Sequence, residues 1–232
     1  MPRSAPSTLP QVALVLLLAA CGGGGGDAGT AFPPPPPAAV CTASAPIPSP
    51  GASAPQVTLA LTNGAGVNGD VVLTLDAGRA PVTVANFLAY VNAGFFDGTV
   101  FHRRSPSFVL QGGGYAGPLT AGGAMPSEKD TRPAITLEDN VGLSNLCLTV
   151  AMARLTAPDS ATSQFFVNLA NNPALDRTLT ARGYAVFGSV TGGSEVITAA
   201  NSATCTPWPT FLPAGDCLPT PNITITRARQ TR

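Results

Sequence analysis

Phe101-His102-Arg103-Arg104-Ser105-Pro106-Ser107-Phe108-Val109-Leu110-Gln111-Gly112-Gly113 is the stretch that decides how this chain is read, and Ser163-Gln164-Phe165-Phe166-Val167-Asn168 answers it further along. Both are strand-like runs of aromatic and aliphatic side chains interrupted by two guanidiniums and three carboxamides. A shallow apolar site with a few directional polar groups is made of such residues. The planar fork of Arg103 gives a fixed donor direction that a lysine ammonium would not.

Working outward, Gln56–Thr62 and Gly69–Asp76 each alternate apolar and polar residues on either side of a Gly-rich turn at Asn63–Gly66, which predicts an antiparallel hairpin. Pro81–Gly94 opens on proline, closes on glycine and carries Val84, Phe87, Leu88 and Val91 on one face, so it reads as a helix of about three turns. Short strand-like runs follow at 99–103, 108–111, 148–153, 164–169 and 185–190, with a second helix over 193–200 and a closing strand over 222–228. Many short strands and two helices predict a mainly β fold, a closed barrel with helical caps. Gly112-Gly113-Gly114 lacks a following Lys-Ser/Thr, so it reads as a permissive turn and not a phosphate loop.

Residues 1–21 read as a processing segment: Arg3, then nine apolar residues from Val12 to Ala20, closed by Leu18-Ala19-Ala20-Cys21. Nine are too few to span a bilayer. The closing tetrad resembles a bacterial lipoprotein cleavage box, which makes Cys21 the expected lipidation site. Residues 22–55, rich in Gly, Pro, Ala and Ser with a proline run at 33–37, read as a disordered linker. As a coil of about 34 residues it would hold a domain roughly 30–35 Å from its anchor. The expected location is therefore periplasmic, lipid-anchored to an envelope membrane, the outer one in this reading.

Residues 56–232 suit one domain of about 175 residues. Twelve basic and twelve acidic residues balance, and only 10% of the chain is charged, so there is no electrostatic footprint for nucleic acid. Beyond Cys21, an even set of four cysteines in an exported chain points to disulfides. Cys205 and Cys217 bracket a short Pro-rich loop and form the natural first pair, leaving Cys41 with Cys147; four cysteines allow three connectivities. His102 is the only histidine, so Ser-His-Asp catalysis would rest on it alone, and a zinc site would need scattered cysteines. It reads as a histidine satisfied locally beside Arg103.

On Phe101-His102-Arg103, Phe108–Gly113, Ala151-Met152-Ala153, Ser163–Phe166 and Gly183–Gly188, the chain over about 56–229 resembles the cyclophilin-type peptidyl-prolyl cis-trans isomerases. Ala151–Arg154 and Ser160–Gln164 are especially similar to the bacterial periplasmic branch. The resemblance implies a closed eight-stranded antiparallel β-barrel capped by two α-helices, a monomer without cofactor or metal, and proline-containing unfolded or partly folded polypeptides as partners. It gives Arg103 and Gln111 the catalytic roles. Phe101, Phe108, Val109, Phe166 and Leu175 become substrate-binding residues, Tyr184 sits on the rim, and the backbone of Ala153 and Arg154 receives the residue before proline. Rotation about an imide bond meets a barrier of roughly 18–20 kcal/mol from amide resonance. A donor aimed at the proline nitrogen weakens that resonance, and each 1.36 kcal/mol of selective stabilisation is worth about tenfold in rate.

The sequence also departs from the family pattern. Arg104-Ser105 replace two aliphatic residues and Ser107 replaces a glycine, which predicts strain or displacement in the strand carrying Arg103. Ala174 stands where an aromatic anchor for cyclosporin is common, and residues 201–221 have no place in the pattern. A non-catalytic proline-peptide or holdase module using the same groove is the alternative reading.

Overall fold

The computed structural model describes Cys41 and residues 53–232. The expected leader with Cys21, and most of the linker, lie outside them. Ten strands join in the order β10-β1-β2-β7-β5-β6-β4-β3-β9-β8. Here β1 is Gln56–Thr62, β2 Asn68–Leu75, β3 Thr99–Ser105, β4 Val109–Ala116 and β5 Thr149–Met152. They continue as β6 Phe165–Asn168, β7 Val186–Gly192, β8 Cys205–Pro207, β9 Cys217–Pro219 and β10 Ile223–Gln230. An additional pairing of β10 with β3, Ile223 opposite Phe101, closes the first eight of that order into a ring. The strand pairs are antiparallel throughout, as the barrel expectation requires.

Two helices cap the ring, α1 over Pro81–Asn92 and α2 over Ser194–Ser202. Ala80 offers no capping side chain to α1, and Glu138 replaces one from a distant loop. Its carboxylate accepts hydrogen bonds from the Val82 and Thr83 amides at 3.2 and 2.8 Å and from the Thr83 hydroxyl at 2.7 Å. A negative charge there also suits the positive end of the helix dipole. The inward face of α1 sets Phe87 into the barrel mouth, with ring centroids 5.0–5.4 Å from Phe96, Phe165 and Phe187. All four rings are fully buried, and each contributes about 1.5–3 kcal/mol from burial.

The glycine triplet is not a turn. Gly112-Gly113-Gly114 lies inside β4, against the barrel's own aromatics. A Cβ on Gly112 would stand 2.9 Å from the Phe101 ring, and one on Gly114 would stand 2.7 Å from Cγ of Gln164. The glycines are therefore a close-approach device in a tightly curved strand.

The segment 201–221, unplaced from sequence, forms a two-stranded annex. β8 and β9 pair with each other, and β9 leans on the end of the barrel wall through Arg104 opposite Cys217. Cys205 is bonded to Cys217, and Cys41 to Cys147. Between β8 and β9, Trp208, Phe211 and Leu212 pack with Leu218 and Tyr115 into a small core of their own outside the barrel. No helix among the described residues is long and apolar enough to cross a membrane.

Candidate active site

Arg103 and Gln111 are delivered by a fault in the ladder between β3 and β4. Phe101 pairs with Gly112 and Arg103 with Gln111, so one more residue separates the partners on β3 than on β4. A regular strand would send residues 101 and 103 to the same face. The bulge breaks that rule. Phe101 is fully buried in the main core, its ring edge-on to Phe165 at 5.8 Å, while His102 and Arg103 both face a small cavity outside the barrel. The expectation that Phe101 touches substrate is thus corrected: the bulge turns it into the barrel. At the end of the same hairpin Ser107 has φ of 56°, a left-handed backbone that favours glycine, so the strain expected at this position is present.

Arg103 Nη1 donates to Gln111 Oε1 at 3.0 Å. Gln111 Nε2 in turn donates to Gln164 Oε1 at 2.8 Å, and Gln164 Nε2 donates to Glu128. The chain runs from a cation through two amides to an anion, so each bond polarises the next in the same sense. Gln164 was quoted within a motif but given no role by the sequence; its place here is to hold Gln111. Arg103 Nε donates to Asp216 Oδ2 at 2.5 Å, and Nη2 keeps no hydrogen-bond partner. Asp216 is a site residue that sequence reasoning missed, because it arrives on the unplaced annex. A type II turn brings it in: the Asp216 amide donates to the Pro213 carbonyl at 3.1 Å, with Gly215 at φ 89°.

The expected proline-binding residues do meet. Val109, Ala153, Phe166 and Leu175 form one apolar cluster with Ala151 and Val186, and Phe108 and Tyr184 pack on it. A buried carboxamide network stands behind this cluster. Asn172 Nδ2 donates to the Phe108 carbonyl at 2.8 Å and to Asn168 Oδ1 at 2.7 Å, and Asn168 Nδ2 reaches Asn145 Oδ1 at 3.1 Å. Asn145 Nδ2 then holds the Leu175 carbonyl at 3.2 Å, so Phe108 and Leu175 are fixed by one set of bonds.

Arg154 does more with its side chain than the resemblance implies. Its Nε and Nη2 donate to the carbonyls of Gly183 and Arg182, at 3.0 and 2.9 Å, and its guanidinium lies 4.8 Å from the Tyr184 ring centroid. Arg154 thereby latches the rim loop, whose other anchor is Asp139. Hydrogen bonds from Arg182, reinforced by the Gly183 amide, hold the Asp139 carboxyl down at about 2 against the opposing effect of burial. A cavity of about 140 Å³, lined by Glu128, Arg154, Ser160 and Gln164 among others, opens on this side of the amide chain.

The local satisfaction expected of His102 fails at Nδ1. The ring is buried, its Nδ1 has no partner, and it stands edge-on to Tyr115 at 4.7 Å with Phe211 at 6.0 Å. Burial, with the Arg103 charge adding to it, lowers its pKa from 6.5 to about 3, so it is neutral at ordinary pH. Burial likewise raises the Tyr115 phenol to about 12. Arg104, the cation that replaces an aliphatic residue, donates from Nη1 to the carbonyl of Asn201, tying β3 to the end of α2. Ala174 is exposed in a 3-10 turn over Pro173–Leu175, beside the cluster.

Residues 58–230 match the family described as cyclophilin type peptidyl-prolyl cis-trans isomerase/CLD. Peptidyl-prolyl cis-trans isomerase A of Dickeya dadantii is 48% identical over 128 residues, which cover 55% of this chain and 64% of that protein. The chain thus spans a little under two thirds of that relative's length. Peptidyl-prolyl cis-trans isomerase B of Escherichia coli is 41% identical over 133 residues, covering 56% of this chain and 77% of that one. Among solved structures, a Cryptosporidium parvum cyclophilin-type isomerase shares the fold at a TM-score of 0.59 and 20% identity, over 77% of this chain and 98% of its own. With the motifs, the closed eight-stranded ring and the match over 58–230 in agreement, this chain belongs to the cyclophilin-type peptidyl-prolyl cis-trans isomerase family.

Proposed function

We propose that the chain is a peptidyl-prolyl cis-trans isomerase that accelerates X-Pro rotation in exported proteins, carried as a monomer on a lipid anchor at Cys21 and a linker over 22–55. The observation that carries the catalytic part is the state of Arg103. Two of its three nitrogens are engaged, by Asp216 and Gln111, and the third, Nη2, has no partner in a cavity that Gln111 and Gln164 also line. A proline ring seated on Val109, Phe166 and Leu175 would lie on the barrel side of Gln111, whose ladder partner is Phe166, with its imide nitrogen turned toward the Arg103–Gln111 pair. Donation to that nitrogen localises its lone pair and lowers the resonance barrier, with no bond made to the protein and no group transferred. Ser-His-Asp chemistry finds no support, since His102 is sealed among aromatic rings.

The relatives' names as isomerases and the paired Arg103 and Gln111 support catalysis over a purely peptide-holding module. The test is the cis-to-trans rate of an Ala-Pro tetrapeptide with the full chain. Acceleration proportional to protein concentration is expected, and binding of the peptide without acceleration would replace this reading by the holdase. The anchor is tested separately: labelled palmitate should enter the full chain in a bacterial host and not its Cys21→Ser variant.

A further inference from the structure

We propose that Asp216, held in place by the Cys205–Cys217 bridge, is the positioning residue for Arg103, so that isomerase turnover depends on a loop outside the barrel and on its redox state. The inference rests on the isomerase reading above and adds to it a residue that does not touch substrate.

The geometry is that of a clamp. A guanidinium on a flexible side chain has one plane and three nitrogens, and two hydrogen bonds at different nitrogens fix its rotation in that plane. Gln111 accepts from Nη1 at 3.0 Å and Asp216 accepts from Nε at 2.5 Å, which leaves Nη2 as the one guanidinium nitrogen with no partner. Without Asp216 a single neutral acceptor would remain, about which the fork can swing and offer Nε or Nη2 alternately. Both partners of the ion pair are 4% exposed, so water does not replace the carboxylate. Charge-assisted bonds of this kind are shorter and about twice as strong as neutral ones.

The annex explains how the carboxylate is kept there. Asp216 is the immediate neighbour of Cys217, and Cys217 pairs in the ladder with Arg104, the immediate neighbour of Arg103. The bridge to Cys205 closes the loop, and Trp208, Phe211 and Leu212 bury its interior against Tyr115. Phe211, Leu212 and Pro213 line the same small cavity as Arg103. A dithiol reductant would pass two electrons to the disulfide, giving two thiols and an oxidised dithiol, and would remove that closure.

Turnover numbers and KM for the Ala-Pro tetrapeptide should be measured for the full chain and for Asp216→Ala and Asp216→Asn, with hydrogen exchange of the Arg103 Nε–H followed by NMR. Asp216→Ala should lower kcat at least about tenfold, with KM changed by less than about twofold and the Nε–H losing its protection. Asp216→Asn, whose amide oxygen can still accept from Nε, should recover part of both. Reduction of the native chain should lower kcat in the same direction, with the emission of Trp208, the sole tryptophan, moving to the red. A rate unchanged or raised in Asp216→Ala overturns the proposal, a rise meaning that the loop shields Arg103. So does a fall in rate with the Nε–H still protected. Should the Ala variant not fold, Asp216→Asn and the reduced native chain decide: rates at the native level in both overturn it. Absence of turnover in the native chain sinks the isomerase reading instead, so the two failures are separable.

Discussion

Two walls meet at Arg103, and they are built by different means. The barrel side, with Val109, Phe166 and Leu175, belongs to strands of the closed ring and to one turn, and its rigidity comes from the buried asparagine network behind it. The other side is the annex around Trp208, Phe211 and Leu212, a small core held by a disulfide and by one ion pair. The first wall inherits the cooperativity of the barrel. The second is a loop whose few buried side chains would not by themselves outweigh its ordering entropy, so it needs a covalent tie. Arg103 is gripped from both, by Gln111 on the barrel and Asp216 on the annex.

Removing the shared residue is the harshest test of that contrast. Arg103→Ala should lower turnover at least about tenfold and, because it strands the buried Asp216 carboxylate, should also destabilise the fold by about 3–5 kcal/mol. The double variant Arg103→Ala, Asp216→Ala should regain much of that stability and none of the activity. Denaturant unfolding of the three proteins measures it; an equal loss in the single and the double variant would show that the pair does not hold the walls together.

Opening the annex alone should cost less. Reduction of the Cys205–Cys217 bridge should lower stability by about 3 kcal/mol, the chain-entropy value for so short a loop. Cys205→Ser, Cys217→Ser isolates this bridge from Cys41–Cys147, and non-reducing peptide mapping should show both pairs. On the opposite wall, Asn172→Ala deletes the donor to the Phe108 carbonyl and to Asn168, which should cost about 1–3 kcal/mol. It should also raise KM more than it lowers kcat, because it loosens the apolar seat and leaves Arg103 in place.

The most gradual probe is acid. His102 belongs to the annex side and has its pKa lowered by burial from 6.5 to about 3. The unfolded chain therefore binds a proton that the folded one refuses. The associated stability is complete above about pH 6.5 and falls by about 1.4 kcal/mol per pH unit as the pH drops from there toward 3. Asp139, lowered to about 2, works in the same direction but only below the ordinary carboxylate range. Thermal unfolding of the native chain and of His102→Phe between pH 7 and 4 should separate the two: the variant should lose the slope above pH 4.5. An unchanged slope would mean that His102 does not stay neutral in the folded annex.

Much of the barrel was legible in the sequence. The alternation in β1 and β2 and the Pro-to-Gly frame of α1 are local signals, and the structure places those elements within a residue or two of where they were read. The residues that the motifs name, Arg103 with Gln111 and the members of the apolar cluster, are brought together in the fold. The errors share one cause. The resemblance places Phe101 in the groove with its motif neighbour Arg103, and the glycine triplet reads as a turn because glycine usually marks one. A bulge and a tight strand-to-ring approach decide both, and each depends on what lies opposite.

The sequence by itself determined the period of each element, the motif residues that carry the family resemblance, and the two cysteines that bracket the annex, because these are properties of neighbours along the chain. Only the tertiary structure decided that Asp216 meets Arg103, that His102 is shut away from water, and that Gln164 and Glu128 extend the polar chain from Gln111. Those partners lie far apart in sequence, and neither composition nor period encodes a distance across the fold. Barrel closure and the docking of the annex set these distances, and an ion pair shielded from water forms only once both are in place.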